Sequence, residues 1–401
     1  MFLANTHADF GHSLLPADAD MLSLAAAARV EQQLARRPDH RPTPLHALPA
    51  LADELGIAGI FVKDEGHRLG LGSFKALGGS YAVIRLMVEE AERRLGRSID
   101  LDDLDRPEVR AIAAAQTFGC ATDGNHGRSV AMGARLVGAK SVIFVHGGVS
   151  ETRIEAIAAY GAEIVRVAGT YDDSVREAAR VCDENGWTVV SDTTWPGYEY
   201  IPGLVMQGYT ALLSEALRQM EEPPTHVFVQ AGVGGIAAAT AGHLALRYGA
   251  ERPRFVVVDP ARAACLYESA RAGHPVKVAH GEPTIMAMLE CYEPSLVAWR
   301  ILSRVADAFM TADEEDAVSV MNRLARPIGS DPAIVSGESG GVGLAGLLSV
   351  AGDPALREAL GLTVQSRVFV INTEGATDPE RYAALVGLSP ETVANTLNER
   401  G

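Results

Sequence analysis

Short apolar runs alternate with amphipathic segments along most of this chain. The apolar runs have the length and composition of buried strands, at residues 117–121, 141–145, 163–167, 188–190, 226–230, 255–258 and 368–371. Apolar positions with helical spacing occupy residues 127–137, 151–160, 173–184, 204–220 and 236–248. Strands and helices that alternate in this way form open, mostly parallel sheets with right-handed crossovers. The pattern therefore predicts an α/β fold.

The pattern also predicts two domains. Residues 21–34 and 81–95 have the spacing of amphipathic helices. A loop rich in Trp, Pro, Gly and Tyr at residues 195–203 interrupts the later alternation of strands and helices. We expect two open, mostly parallel twisted sheets flanked by helices, in a large domain of residues 1–80 and 198–401 and a small domain of residues 81–197.

Composition narrows the class of partner. The chain has 401 residues, and its 35 basic and 51 acidic side chains give a net charge of -16, which disfavours nucleic acid and anionic membranes as partners. The longest uncharged run, residues 223–246, contains histidines and glycines and does not have the composition of a membrane span. No Lys or Arg precedes Arg29, so the basic start of a secretory signal is missing. We expect a cytoplasmic protein that binds a small molecule.

The cysteines predict neither a metal site nor a disulfide framework. Cys120, Cys182, Cys265 and Cys291 are widely spaced and form no CxxC pair. A bond between Cys265 and Cys291 stays open, because the sequence does not show whether the fold brings them together. Disulfides are rare in the cytoplasm.

The chain has four lysines, and Lys75 differs from the others in its surroundings. Lys63, Lys140 and Lys277 adjoin apolar, strand-like runs, whereas Lys75 lies in the uncharged, small-residue stretch 72–80, just before a predicted helix. Burial among uncharged groups lowers the pKa of an ammonium group, and an imine forms from the neutral amine. Most lysines are solvated surface groups, so this interpretation depends on the rest of the site.

A glycine turn follows the predicted strand at 226–230. Gly232, Val233, Gly234 and Gly235 open the next helix, and the backbone N–H groups and positive dipole end of such a turn bind anions. The Gly-Lys-Ser/Thr of a P-loop is missing, which indicates a different kind of phosphate cup. The alternative is a tight turn that uses glycine only for packing.

A second glycine-rich segment, residues 341–346, matches GxGxxG. No convincing strand precedes it, and no acidic residue follows at the spacing that a dinucleotide-binding fold requires. We therefore do not expect a dinucleotide cofactor.

Polar side chains follow three other predicted strands. The segment Thr-Asp-Gly-Asn-His-Gly at 122–127 follows one strand, and Asp192 and Thr373 each follow another. Ligands of open α/β sheets bind beyond the carboxyl ends of the strands, so these positions predict one site, although each could separately be a helix cap. A lysine suited to imine formation, a phosphate cup and polar strand ends together predict pyridoxal phosphate as the cofactor.

The same segments, in the same order, carry a family resemblance. Gly72-Ser73-Phe74-Lys75, Thr-Asp-Gly-Asn-His and Gly-Val-Gly-Gly resemble the fold type II, tryptophan-synthase-β-like pyridoxal phosphate enzymes. Within that group the chain resembles the diaminopropionate ammonia-lyase family from residues 41–45 to residues 373–378. Asp123 is the most discriminating position, since the similar serine and threonine dehydratases usually carry a small residue there. Residues 78–80, 235–236 and Asn372 differ in detail from the family pattern.

The resemblance implies a role for each matching residue. Lys75, next to Phe74, carries the cofactor through an imine and moves a proton. Cofactor contacts are implied for Asn125 at the 3′-oxygen, for Gly232, Val233, Gly234 and Gly235 at the phosphate, and for Thr373 at the pyridine nitrogen. Substrate contacts are implied for the backbone of Thr122, Asp123, Gly124, Asn125 and His126 at the carboxylate, and for the catalytic Asp123 and Asp192 at the amino groups. We interpret the His126 side chain as structural, because nothing near it completes a metal site.

The resemblance further implies a homodimeric lyase that removes ammonia from 2,3-diaminopropionate and leaves pyruvate and a second ammonia. Three alternatives stay open. The enzyme could be a lyase for another β-substituted amino acid such as serine, threonine or hydroxyaspartate, or a synthase that adds a nucleophile at Cβ. The third is a protein that binds the cofactor without catalysis.

Overall fold

The computed structural model describes residues 1–122 and 124–400, with side chains through residue 396. Within that part the strands are β1 (Phe2–Ala4), β2 (Leu45–Ala47), β3 (Gly59–Asp64), β4 (Thr117–Ala121), β5 (Lys140–His146), β6 (Glu163–Val167), β7 (Thr188–Val189), β8 (His226–Gln230), β9 (Arg254–Pro260), β10 (Ala308–Ala312) and β11 (Arg367–Asn372).

The helices of the same part are α1 (Pro16–Met21), α2 (Leu24–Ala35), α3 (Pro49–Leu55), α4 (Lys75–Leu95), α5 (Pro107–Ala114), α6 (Asn125–Val137), α7 (Glu151–Ala158), α8 (Tyr171–Asn185), α9 (Tyr200–Gln219), α10 (Gly235–Tyr248), α11 (Cys265–Ala272), α12 (Leu296–Val305), α13 (Glu314–Ala325), α14 (Val342–Gly352), α15 (Pro354–Leu360), α16 (Pro379–Val386) and α17 (Pro390–Arg400). Short 3₁₀ helices occupy Glu65–Gly70, Leu101–Asp105, Gly249–Glu251, Ala261–Ala263 and Ala287–Leu289. None of the described helices is long and apolar enough to cross a membrane.

Backbone contacts divide the chain into two compact units. The larger unit comprises Met1–Ala26, Arg41–Phe74 and Leu212–Gly401, and the smaller unit comprises Ala27–His40 and Lys75–Ala211. The domain boundaries expected from the sequence, after residues 80 and 197, stay a prediction. The two units differ from them by assigning 27–40, 75–80 and 198–211 to the smaller unit.

The larger unit is built on a sheet whose described strands lie in the order β1-β10-β9-β8-β11-β3-β2. The pairs from β10 through β3 are parallel, while the edge strands β1 and β2 are antiparallel to their neighbours. Every residue of β8 and β10 is buried, as expected for central parallel strands covered by helices on both faces.

The smaller unit contains a fully parallel sheet in the order β6-β5-β4-β7 among its described strands. Helices α6 and α8 both contact β4 and β5. The prediction of an α/β protein with two open, mostly parallel sheets is confirmed. The carboxyl end of β4 leads directly into the 122–127 segment, and the carboxyl end of β8 leads into the glycine turn.

Helix α4 begins at Lys75, earlier than the sequence predicted. Gly78 and Gly79 disfavour a helix by propensity, so the expected start was residue 81. Both glycines lie where helices meet: a Cβ on Gly78 would be 2.5 Å from Tyr209 Cε1 of α9, and one on Gly79 would be 2.9 Å from Ser129 Oγ of α6. Close packing against these two helices therefore overrides the local preference, and Lys75 belongs to a helix and not to a loop.

A buried ion cluster precedes α4 in the larger unit. Arg68, in the 3₁₀ helix Glu65–Gly70, donates hydrogen bonds to Glu65 Oε2 at 2.8 Å and to Glu215 Oε1 at 2.9 Å. Lys63 Nζ lies 3.2 Å from Glu215 Oε2 and donates to the Thr43 carbonyl at 2.8 Å. Two cations thus balance two carboxylates in the interior, as buried charges require.

We expect Arg68→Leu to destabilise the larger unit strongly. Removing the guanidinium leaves Glu65 and Glu215 with Lys63 as the remaining buried cation, and breaking a buried ion pair typically costs about 3–5 kcal/mol. Thermal unfolding followed by circular dichroism measures the change. The control is Arg180→Leu, which removes exposed pairs with Glu177 and Glu184 and should leave the midpoint unchanged. Equal midpoints for both variants would contradict the importance of the cluster.

Candidate active site

Lys75 forms an ion pair with Asp192 in the smaller unit. Lys75 is the first residue of α4, and its Nζ contacts Asp192 Oδ2, three residues after the end of β7. The segment between β7 and Asp192 is anchored by the Val190 N–H, which donates to the Gly119 carbonyl of β4 at 2.8 Å. The Lys75 side chain is 20% exposed and that of Asp192 11%, so solvent reaches the pair from a limited side only.

Asp192 is ionised in this arrangement. Burial by itself would raise the pKa of the Asp192 carboxyl, but the positive charge of Lys75 and its hydrogen bond lower that pKa below the usual range. A carboxylate next to an amine compensates positive charge whenever the amine takes up a proton. The expectation of an uncharged environment around Lys75 is therefore wrong.

His126 joins the first turn of α6 to the end of β7. Its Nε2 lies 2.9 Å from the Val190 carbonyl, which can only accept a hydrogen bond, so Nε2 carries the proton. Burial lowers the pKa of His126, which keeps the imidazole neutral. Its other ring nitrogen, Nδ1, is buried and has no hydrogen-bond partner among the described residues. The structural role expected for His126 is present, together with an acceptor atom that the structure leaves available.

Tyr209 of α9 was not among the site residues expected from the sequence. Burial raises the pKa of the Tyr209 phenol above its usual range, and the charges of Lys75 and Asp192 both act on it. Gly208 makes this approach feasible, because a Cβ there would be 2.7 Å from the Leu77 carbonyl of α4. The local signal was weak, since Gln-Gly-Tyr in a helical stretch has no motif of its own.

The segment between β4 and α6 forms a tight turn. Thr122 Oγ1 accepts hydrogen bonds from the N–H groups of Gly124 and Gly127, each at 3.0 Å. Gly124 has φ +145°, a conformation that favours glycine, and precedes the buried Asn125 at the start of α6. Asp123 lies outside the described residues. The N–H groups in the first turn of α6 have no intrahelical acceptor, which suits this turn to bind a carboxylate.

In the larger unit, the glycine turn has no room for a side chain at Gly232 or Gly234. A Cβ on Gly232 would lie 2.9 Å from Cys291 Sγ, and Gly234 has φ +101° with Ala298 Cβ 3.0 Å from such an atom. The Val233 carbonyl accepts a hydrogen bond from the Ser295 N–H at 2.9 Å. Helix α10 begins at Gly235, so the first N–H groups of a fourteen-residue helix adjoin the turn.

Thr373 lies immediately after β11 in a network that the side-chain amide of Gln230 organises. Gln230, the last residue of β8, is fully buried and donates to Thr373 Oγ1 at 2.8 Å and to the Ile371 carbonyl at 3.1 Å. Its Oε1 accepts from the Gly343 N–H at 3.1 Å. Gln230 was not among the site residues expected from the sequence. A glutamine in an otherwise apolar strand nevertheless indicates a buried side chain with hydrogen-bond partners.

Phe74, which precedes Lys75 in the chain, contacts the Thr373 network. The Phe74 N–H donates to the Thr373 carbonyl at 3.0 Å, and Ser73 forms an isolated bridge with Glu374. Asn372, which differs from the family pattern, donates to Asp64 Oδ1 at 2.8 Å and to the Val335 carbonyl at 3.0 Å. The departure at Asn372 therefore belongs to a polar contact between β11 and β3.

The other chemical candidates have structural explanations. Lys63 is fully buried, but Glu215, Thr43 and Gln219 hold its ammonium group in the ion cluster. The GxGxxG match follows an irregular segment, and a Cβ on Gly343 would be 2.5 Å from the Phe228 carbonyl of β8, so this glycine permits close packing of α14. Cys265 and Cys291 do not form a disulfide. Among the described residues, no cluster of His, Cys, Asp and Glu is arranged to hold a metal ion.

The described residues include each kind of donor that pyridoxal phosphate needs. The smaller unit contains a partly exposed lysine with a carboxylate beside it, and the larger unit contains a glycine-rich turn at a helix N-terminus. Thr373 offers a hydroxyl whose oxygen is held by Gln230. These residues fit an enzyme that carries this cofactor on a lysine.

Comparison with known proteins supports the assignment to pyridoxal-phosphate-dependent enzymes. Residues 36–374 match the family model described as pyridoxal-phosphate dependent enzyme. The chain is 41% identical over 362 residues to diaminopropionate ammonia-lyase of Escherichia coli K12, covering 88% of this chain and 89% of that protein. It is 39% identical over 359 residues to the Salmonella typhimurium LT2 protein of that name, covering 87% and 89%.

Solved structures show the same relationship. The Escherichia coli diaminopropionate ammonia-lyase in complex with an aminoacrylate-PLP azomethine reaction intermediate superposes with a TM-score of 0.86, at 38% identity over 96% of both chains. The same enzyme in complex with D-serine gives a TM-score of 0.87, at 37% identity over 96% of both chains. The chain is thus a fold type II pyridoxal-phosphate-dependent enzyme. Within that class it belongs to the diaminopropionate ammonia-lyase family.

We expect the cofactor to be attached at Lys75. Borohydride reduction followed by peptide mass mapping should find the phosphopyridoxyl group on Lys75, and Lys75→Ala should lose the visible absorbance band of the lysine-bound cofactor. Lys63→Met is the comparison, because Lys63 is buried but neutralised in the ion cluster. Label on Lys63, Lys140 or Lys277 in the wild-type protein would contradict the assignment.

We expect Gly234→Asp to weaken cofactor binding much more than folding. The substitution adds a side chain and a negative charge to a turn where a Cβ already meets Ala298 at 3.0 Å. Spectroscopic titration with pyridoxal phosphate measures the change in affinity. Gly249→Asp is a matched control, since Gly249 also has positive φ but lies at the opposite end of α10 in open space. Wild-type affinity in a folded Gly234→Asp protein would rule out the turn as the phosphate site.

Proposed function

We propose that this protein removes ammonia from 2,3-diaminopropionate by α,β-elimination and releases pyruvate and a second ammonia. The observation that carries the proposal is the whole-length relationship to diaminopropionate ammonia-lyases, together with a Lys75–Asp192 pair suited to proton transfer and charge compensation. This relationship supports the proposal that Lys75 carries the cofactor and that the glycine turn binds its phosphate. Bound there, pyridoxal phosphate would supply the electron sink that stabilises negative charge at Cα.

Lys75 has two tasks in the proposed mechanism. It holds the cofactor in the resting enzyme, and once the substrate amine has taken its place, its free amine accepts the Cα proton. Asp192 compensates the charge that Lys75 then acquires, since its carboxylate is already next to Nζ. Tyr209 and His126, in the same unit, interact electrostatically with Lys75 and Asp192.

The leaving group determines which further residues are needed. Ammonia leaves from Cβ as a neutral molecule only if that nitrogen remains protonated, so an anion near it favours elimination. Asp192 is ionised and partly exposed, and Asp123 adjoins the turn proposed to receive the substrate carboxylate. We propose Asp123 as the second base, Asp192 as a ligand of the substrate amino group, and Thr122, Gly124, Asn125 and His126 as the surrounding turn.

A substrate panel tests the function. Pyruvate formation from both enantiomers of 2,3-diaminopropionate should exceed that from serine or threonine. D-serine deserves inclusion, because the Escherichia coli relative was crystallised with it. Faster turnover of a hydroxy amino acid would favour a dehydratase, an added-thiol product in the presence of sulfide would indicate β-replacement, and cofactor binding without keto-acid release would exclude catalysis.

The assembly and location are also proposals. The family resemblance supports a homodimer, and the balance of acidic over basic residues supports a cytoplasmic enzyme that binds small amino acids and neither nucleic acid nor membrane.

We expect Asp123→Asn to suppress turnover of D-diaminopropionate more than that of the L-isomer. Lys75 serves one face of the planar cofactor-bound substrate, so the other enantiomer requires a base on the opposite face. A positioned general base contributes about 10²–10⁴-fold in rate, and asparagine is nearly isosteric but cannot accept the proton. Steady-state pyruvate formation from each enantiomer, with an unchanged cofactor spectrum, measures the effect. Equal losses for both would reduce Asp123 to a binding role, and no loss would remove it from the site.

A further inference from the structure

Asp259 is a buried carboxyl group that the proposed mechanism does not use. It follows Val258 in β9, and the Val258 carbonyl accepts a hydrogen bond from the Ala231 N–H at 3.0 Å, directly before the glycine turn. Asp259 is 1% exposed. Among the described residues no cation pairs with it, and its Oδ1 has no hydrogen-bond partner. A buried carboxyl group without a counter-charge is costly, so its retention calls for an explanation.

The second oxygen of Asp259 organises the start of α11. Oδ2 accepts hydrogen bonds from the N–H groups of Leu266 at 2.9 Å and Tyr267 at 2.8 Å, which are among the first N–H groups of that helix. Asp259 therefore determines where α11 begins and how its first turn faces the end of β9.

The first turn of α11 contacts the glycine turn. Leu266 Cδ1 lies 3.1 Å from the position a Cβ on Gly234 would take, and the Cys265 thiol donates to the Gly232 carbonyl at 3.5 Å. A path of direct contacts thus runs from Asp259 through α11 to two of the four residues proposed to hold the phosphate. This path lies entirely within the larger unit.

We propose that Asp259 is a positioning residue for the cofactor phosphate, which in its neutral form fixes α11 against the Gly232–Gly235 turn and in its ionised form weakens phosphate binding. The inference rests on the proposed role of that turn. It adds that a residue outside the turn, which does not touch the reacting atoms, controls phosphate binding through its protonation state.

The electrostatics of the surroundings agree with this assignment. Burial raises the pKa of Asp259 to about 8, although the two backbone N–H groups act in the opposite direction. The Cys265 thiol on α11 interacts electrostatically with Asp259 and with the Cys291 thiol, which also lies next to Gly232. Burial raises the pKa of Cys265 well above its usual value, so this thiol stays neutral at pH 9. Arg262, in the 3₁₀ helix Ala261–Ala263 between β9 and α11, pairs with Glu282 and Glu314 and not with Asp259.

The test compares two probes that cannot form an imine with Lys75. Binding of pyridoxamine 5′-phosphate and of pyridoxamine to the full-length protein freed of cofactor is measured by isothermal titration calorimetry at pH 7 and pH 9. The ratio of the two dissociation constants isolates the phosphate contribution, because titrations of the ring and amine are common to both probes. The phosphate itself, with a second pKa of about 6, is mostly a dianion at both pH values.

We expect the preference for the phosphorylated probe to fall about tenfold from pH 7 to pH 9 in the wild-type protein, since a group with a pKa near 8 passes from mostly protonated to mostly ionised over this interval. Asp259→Asn, which keeps the acceptor oxygen but cannot ionise, should show the same preference at both pH values. A difference infrared spectrum should also show a protonated carboxyl band in the wild-type protein at pH 7 that is absent from Asp259→Asn.

Asp331→Asn is the matched control. Asp331 is likewise buried and accepts the N–H groups of Ala50 at 2.8 Å and Leu51 at 3.0 Å at the start of α3, away from the glycine turn. In this variant the phosphate preference should still fall about tenfold from pH 7 to pH 9, as in the wild-type protein. If the fall disappeared here too, its loss in Asp259→Asn would be a general effect of removing a capping carboxyl group.

A phosphate preference that is constant with pH in the wild-type protein, or one that still falls tenfold in Asp259→Asn, would overturn the inference. Should Asp259→Asn fail to fold, the wild-type ratio decides, because a preference that is constant between pH 7 and pH 9 would still overturn the inference. Failure of the proposed phosphate site itself has a different signature, because Gly234→Asp would then bind the phosphorylated probe as tightly as the wild-type protein.

Discussion

The close approach of three helices in the smaller unit is the constraint on which the lysine site depends. Glycines at 78, 79 and 208 permit it, and Gly133 adds to it, since a Cβ there would be 2.8 Å from Ser80 Cα. Without this approach α4 could not begin at Lys75, and the Tyr209 and His126 side chains could not lie within electrostatic reach of the Lys75–Asp192 pair. Glycines that weaken a helix locally are thus retained because they allow a functional group to be presented from its first turn.

In the larger unit, strand ends and a buried amide position the polar groups. Its glycine turn, Gln230 and Thr373 follow neighbouring parallel strands, whose carboxyl ends meet at one edge of the sheet. One side-chain amide then links β8, β11 and the segment before α14 by hydrogen bonds. A buried amide with these bonds satisfied is rigid, so it can hold a hydroxyl group at a defined orientation.

Two sets of charges in the interior are paired. Lys63 and Arg68 are matched by Glu65 and Glu215, and Lys75 is matched by Asp192. The two sets differ in solvent exposure. The side chains of the first set are buried and hydrogen-bonded to one another, whereas those of Lys75 and Asp192 are partly exposed. Burial alone therefore does not separate Lys63 from Lys75, the lysine proposed to carry the cofactor, whereas the partial exposure of the Lys75 ion pair does. Asp259 is an exception to this pairing, and it lies next to the segment proposed to hold an anion.

The sequence by itself determined the class of fold and the segments that carry chemistry. Strand and helix periodicity, the glycine turn after β8 and the segment containing Lys75 are local patterns, and local patterns survive without knowledge of packing. The tertiary structure alone decided the partner of Lys75, which is 117 residues away in the chain, the start of α4, and the surroundings of Tyr209, Gln230 and Asp259. These depend on which helices and strands come together, and that is set by summed packing over the whole core and not by any single stretch of residues.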